Sequence, residues 1–213
     1  MVDNGIAVVG KGEVNVRPDT VTIQVGVSVT RKTVVEATRE AATLARALTE
    51  ALTAGGVAER DIQTSNIAIH PNYEYPPNRQ PKLTGYTFTN TVLATIRDID
   101  GAGAVIDGAL AAAGDSAVLQ GVHFSLDDDA AAIVEARAAA YGDARAKGEQ
   151  LAQLAGVGLG AALAIEELEQ SAGMPMPPSP KMMRMAAADT GGPAISAGEV
   201  TTRILVSVRF AIA

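Results

Sequence analysis

The chain has no cysteine and no tryptophan, and aromatic residues make up only 3% of its 213 positions. Without cysteine there is no disulfide, no thiolate nucleophile and no Cys-containing zinc site, while the redox compartment stays open. The hydrophobic 47% is mainly Ala, Val, Leu and Ile, so helices and sheet must approach closely to make the contacts that aromatic bulk otherwise provides. Also lacking is any block of positive charge, for the formal net charge is -7 and Lys and Arg are scattered. A nucleic-acid face needs a cationic field to displace counterions from phosphate, which excludes that partner class. The same acidity disfavours docking on anionic lipid. No run approaches the roughly 20 apolar residues of a membrane-spanning helix. The start, Met1-Val2-Asp3-Asn4, has neither a basic region nor an apolar h-region. As written, the chain is expected in the cytoplasm; as a trimmed mature form it belongs to the periplasm or cell envelope.

Strand patterning is strongest at Thr20–Thr30, where Val21, Ile23, Val25, Val27 and Val29 alternate with Thr22, Gln24, Gly26 and Ser28, predicting one buried face. Ile6–Val16 reads as its hairpin partner across a turn at Arg17-Pro18-Asp19. From Thr33 the period becomes helical, with Val34, Ala37, Ala41, Leu44, Leu48 and Leu52 on one face over about six turns. Thr33 with Glu36 fits a capping box, and Gly55-Gly56 ends the helix. A strand follows over Ile62–Tyr75, then a turn-rich stretch to Pro81.

The second half repeats this order. Tyr86–Ile96 is a long strand; Asp98 or Asp100 caps a short helix with Val105, Ile106, Ala109 and Leu110; Val118–Leu126 is another strand. Asp127-Asp128-Asp129 opens an Ala-rich helix whose apolar positions include Ile133, Val134, Ala140, Tyr141, Ala144, Leu151 and Leu154. Gly148 falls on its apolar side and is expected to mark a close approach of helix and sheet backbones rather than a break. After a strand at Ala161–Glu169, residues 170–198 hold five of the chain's 10 prolines and join no helix or sheet interior. The terminal run Val200–Ile212 alternates strongly and must pair, so both chain ends belong to the folded body. The expected organisation is one domain, 1–213, with a Met/Pro-rich loop insertion at about 170–198.

These segments resemble the SIMPL family, the group of bacterial periplasmic immunogenic proteins and a eukaryotic adaptor of kinase signalling. The resemblance lies in ordered motifs over nearly the whole chain. They begin with Gly10-Lys11-Gly12-Glu13-Val14, Arg17-Pro18-Asp19, Ala54-Gly55-Gly56-Val57, Asp61-Ile62-Gln63-Thr64-Ser65 and Ile69-His70-Pro71-Asn72-Tyr73. Gly85-Tyr86, Arg97-Asp98-Ile99-Asp100, Gly121-Val122-His123-Phe124-Ser125, Glu135-Ala136-Arg137 with Ala140, Asp143-Ala144 and Lys147, and Ser196-Ala197-Gly198-Glu199-Val200 complete the series. This chain departs from the pattern at Gly148, where the family usually continues with Ala. The resemblance implies an α+β fold with a mixed, largely antiparallel sheet, long amphipathic helices on one side and a βαβ-type repeat. It implies ring or barrel assemblies in some bacterial members and a cell-envelope or stress-related role. It supplies no catalytic residue.

No convergent chemistry stands out. Gly10-Lys11-Gly12 lacks the third Gly and the following helix of a phosphate loop, and reads as a bulge or close packing in an edge strand. His70, before Pro71 in a turn, and His123, opposite Val122 and Phe124, read as surface or sheet histidines rather than metal ligands. Asp127-Asp128-Asp129 lacks the alternating oxygens of a calcium loop. A Gly-x-Ser-x-Gly elbow is absent. In the Met/Pro stretch, Met174, Met176, Met182, Met183 and Met185 form either an adaptable contact surface or part of a plain connector. The expectation is a non-enzymatic scaffold or interaction module without cofactor or metal, partnering itself and other proteins through that loop. The alternatives are a small-ligand binder or hydrolase using a cleft between helices and sheet, and a signalling adaptor by analogy alone.

Overall fold

The structure is a computed structural model that describes residues 5–168 and 197–213. In chain order it runs β1 (Ile6–Val16), β2 (Thr20–Arg31), α1 (Val34–Ala54), β3 (Ile62–Glu74), β4 (Lys82–Ile96) and α2 (Ala102–Ala113). Strand β5 (Ala117–Ser125), helix α3 (Ala130–Ala155) and strands β6 (Leu159–Leu168) and β7 (Val200–Ile212) follow. The result is an α+β fold, and every strand pairing among the described residues is antiparallel. The elements form two compact units.

One unit holds β2 to β5 in the order β3-β4-β2-β5 with α1 and α2. Its chain path, βαββαβ, places β4 between β2 and β3, and β2 between β4 and β5. These are two split βαβ units, the ferredoxin-like topology, so the repeat read in the sequence is present with a strand inserted into each crossover. Val21, Ile23, Val25, Val27 and Val29 of β2 are buried as expected, against Leu48 and Leu52 of α1 and Ile106 and Ala109 of α2. The Thr33–Glu36 capping box forms, with Glu36 N–H on Thr33 Oγ1 at 3.2 Å and Thr33 N–H on Glu36 Oε2 at 3.3 Å. Gly56, at φ 96°, supplies the left-handed residue that the end of α1 requires. Helix α2 starts at Gly101 rather than at an Asp cap; the Asp98 carboxylate instead accepts the Gly101 N–H at 3.2 Å.

The other unit holds a three-stranded sheet, β1-β7-β6, with α3 on one face. Strand β7 pairs with β1 over eleven positions, Ile6↔Phe210 to Val16↔Val200, so the first and last strands close on each other. This overturns the expected hairpin of Ile6–Val16 with Thr20–Thr30. Strand β2 has both sides occupied, by β4 and β5, and the link at Arg17-Pro18-Asp19 is no tight turn, since the Asp19 N–H goes to the Ser125 carbonyl at 3.2 Å.

The buried stripe of α3 keeps the expected Ala140, Ala144 and Gly148 but not the larger residues expected beside them. Ala132, Ala136, Ala140, Ala144, Gly148 and Ala152 face the sheet, whereas Val134, Leu151 and Leu154 are exposed, Leu154 by 78%. Small residues win because the strand beneath presents glycines: a Cβ on Gly10 would lie 2.0 Å from the Ala140 carbonyl oxygen, and one on Gly12 1.9 Å from that of Ala136. Gly148 is buried without the expected approach of backbones, since its virtual Cβ meets side chains, 3.1 Å from Phe210 and 3.2 Å from Leu159. At the head of α3, Asp128 Oδ1 accepts the Ala130 N–H at 2.9 Å.

Candidate interaction surface

Sheet edges are where a strand protein meets partners, and each edge here is built differently. Because Gly10 and Gly12 bring α3 against β1, two residues one turn apart on that helix reach the outer edge of the strand. Asp143 Oδ2 accepts the Lys11 N–H at 2.8 Å, Lys147 Nζ donates to the Val9 carbonyl at 2.9 Å, and the two side chains pair at 2.7 Å. The Lys147 ammonium, and after it the Lys11 N–H, holds the Asp143 carboxyl below its usual range. On the sheet face away from α3, Glu13 takes Lys11 at 2.8 Å and Arg203 of β7 at 2.5 Å. Lys11 and then Arg203 lower the Glu13 pKa. Gly10-Lys11-Gly12 is thus the close packing in an edge strand that the sequence suggests.

The opposite edge, β6, shifts register twice against β7, between Leu159 and Ala162 and between Ala162 and Ala164. Leu163 and Ile165 are exposed there, and Glu167 is tied to Arg137 of α3 at 2.7 Å and 3.2 Å.

In the four-stranded unit, β3 is the edge with apolar character. Period two puts Ile67, Ile69, Pro71 and Tyr73 on one face, and Ile69 pairs with Phe88, which packs on the core. This is therefore the helix side, yet α1 lies over β2 and β4, and Ile67 stays 61% exposed. Tyr73 pairs directly with exposed Leu83 across the hairpin and meets Tyr75, 75% exposed, at a ring separation of 6.4 Å. Strand β5, the other edge, carries an extra residue, Gln120, opposite the Gln24/Val25 step of β2.

The candidate chemical residues do not come together. His70 lies within β3 opposite Thr87, not in a turn, because Pro71 is tolerated on an edge strand. His123 lies on β5 opposite Thr22. Three strand spacings and the eight residues from Thr22 to Thr30 separate them by roughly 30 Å. The Asp127 carboxylate pairs with Arg97 at 2.5 Å, and Arg97 also holds Asp61 through two bonds of 3.2 Å. Asp61 first and Asp127 second raise the guanidinium pKa. This bracket ties the end of β4 to the segments before β3 and after β5, a role that none of the motif readings had assigned to Arg97. A shallow cleft of about 550 Å³ is lined by Ala51, Ala54, Gly55, Asp98, Gly101, Ala104, Val105 and Gly108, and neither histidine reaches it. Among the described residues no cluster of His, Asp or Glu has metal-binding geometry, and no helix is long and apolar enough to cross a membrane. Met174, Met176, Met182, Met183 and Met185 lie outside the described residues.

Over residues 6–210 the sequence matches the SIMPL family, described as a protein of unknown function (DUF541). The chain belongs to the SIMPL family. The 26 kDa periplasmic immunogenic protein of Brucella melitensis biotype 1 is 34% identical over 215 residues, covering 97% of this chain and 84% of that one. The uncharacterized protein YggE of Edwardsiella ictaluri is 28% identical over 151 residues, 71% of this chain and 62% of its own. YggE of Escherichia coli K12 is 30% identical over 103 residues, 48% and 42% of the two chains. Asp143 and Lys147, two of the residues that carried the resemblance, are the two that bond to the outer side of β1, a placement that order along the sequence did not reveal. An Asp–Lys pair at i, i+4 on a helix was the visible signal, but it reads equally as an ordinary surface ion pair.

Proposed function

We propose that this SIMPL protein is a non-enzymatic, self-associating scaffold or interaction module of the cell envelope, meeting its own copies through the apolar side of the β3–β4 hairpin. The observation that supports it is the placement of aromatics. Of four tyrosines in the chain, Tyr73 and Tyr75 stand exposed beside each other, with Ile67, Ile69 and Leu83 on the same hairpin. Grouped apolar exposure of this kind marks contact surfaces, and tyrosine is enriched at them. The Met/Pro-rich segment 170–198 is a second contact in this reading, its unbranched Met side chains adapting to the partner. The envelope setting follows the Brucella relative, which is named periplasmic. The test is light scattering at micromolar concentration on the wild type, on Tyr73→Ser/Tyr75→Ser, and on a deletion of Met174 to Met185. A mass above the monomer that falls in the variants supports the reading; a monomer at every concentration overturns it.

A further inference from the structure

We propose that α3 guards β1: Asp143 and Lys147 stand in for one residue of a neighbouring strand, and the edge behind them is a strand-addition site for a second copy of this chain. In a parallel ladder, one residue of the incoming strand donates to the carbonyl of residue i−1 and accepts from the N–H of residue i+1. With Gly10 as residue i, those groups are the Val9 carbonyl and the Lys11 N–H. Lys147 Nζ supplies the donor at 2.9 Å and Asp143 Oδ2 the acceptor at 2.8 Å. An antiparallel neighbour uses the same two groups, so the pair shuts the edge in either direction.

The guard sits where it is needed. Strand β3 shifts register between Thr64 and Asn66 and again between Asn72 and Tyr73, and includes Pro71. Strand β5 is bulged and β6 shifts twice. Bulges and prolines blunt edges by breaking the regular ladder. Among the edge strands of the described residues, only β1 runs against its neighbour without a break, over eleven positions, and a regular edge of that length is the template that another chain pairs with.

A second copy fits this edge by charge. An antiparallel pairing of two β1 strands centred on Gly12 sets Lys11 of each against Glu13 of the other, and Val9 against Asn15. Opposite charges directly across such a pair are favourable. Lys11 and Glu13 already share a face and pair at 2.8 Å within one chain, so the exchange keeps every charge matched.

The experiment uses the full chain and compares Asp143→Ala/Lys147→Ala with wild type at equal concentrations. Hydrogen exchange at the Lys11 amide, read in dilute protein, is expected to rise about tenfold, and the mass by light scattering to exceed that of wild type as concentration increases. Adding Lys11→Glu sets Glu against Glu in the pairing, and is expected to return the mass to the wild-type value while exchange stays fast. Lys147→Arg, which keeps a donor, is expected to behave as wild type. Unchanged exchange at Lys11, an unchanged mass, or association that persists with Lys11→Glu each overturns the proposal. Both readouts are differences from wild type, so a monomeric wild type removes the hairpin contact proposed above without deciding this one.

Discussion

Replacing Gly12 by alanine tests the packing that everything on this unit depends on. The added Cβ would lie 1.9 Å from the Ala136 carbonyl oxygen and 2.6 Å from the Ala140 nitrogen. Ordinary contact begins near 3.4 Å, so α3 must retreat by about 1.5 Å, and the atom struck is backbone that cannot rotate aside. Overpacking of this kind costs about 1–3 kcal/mol, and the rigidity of the obstacle puts Gly12→Ala near the upper figure. The retreat also lengthens the bonds from Asp143 and Lys147 to β1. With a urea slope of about 2 kcal/mol per molar, the unfolding midpoint is expected to fall by roughly 1.5 M. Gly142→Ala on the same helix is the control, since its Cβ meets nothing within 4 Å. It is expected to stabilise by about 0.5–1 kcal/mol, because alanine loses less entropy than glycine in a helix. Equilibrium urea unfolding followed by far-ultraviolet circular dichroism reads both. A Gly12→Ala protein within about 0.5 kcal/mol of wild type would refute the close approach of α3 and β1.

Two further outcomes follow from local chemistry. Thr33→Ala removes the hydroxyl that accepts the Glu36 N–H and is expected to lower stability by about 1 kcal/mol in the same urea assay. The depressed Asp143 carboxyl contributes stability that is fully present above its unfolded pKa, near 3.8, and is lost as pH falls through its lower folded value. Asp143→Ala is therefore expected to show a shallower loss of urea midpoint than wild type below pH 4, and an identical acid profile in the two proteins would sink the assignment.

Elements with a strong period and a local end signal were legible from sequence. Strand β2 alternates over its whole buried length, and α1 begins at a capping box and ends at Gly55-Gly56, so period and punctuation agree with the backbone. Partner choice was not legible. Arg17-Pro18-Asp19 has the composition of a turn whether the chain doubles back or passes from one sheet into another, and only the occupation of both sides of β2 decides between them. The histidines show the same limit, because Pro71 marks a turn in an interior context and is ordinary on an edge strand.

Helix α3 departs from its hydrophobic pattern at Val134, Leu151 and Leu154 for a physical reason that also explains its role. Hydrophobicity adds Val134, Leu151 and Leu154 to the expected Ala140 and Ala144, but the glycines of β1 invite a helix face with no bulk, and only the alanines, Ala136 with them, meet that condition. Burial is therefore decided by how near the backbones come rather than by side-chain transfer energy. The same nearness is what lets the short Asp143 side chain reach the Lys11 N–H. A helix seated on Val or Leu would stand farther from the strand, with that edge left open. Gly10, Gly12, the alanine stripe, Asp143 and Lys147 then form one device, in which the loss of any glycine is felt at the edge as well as in the core.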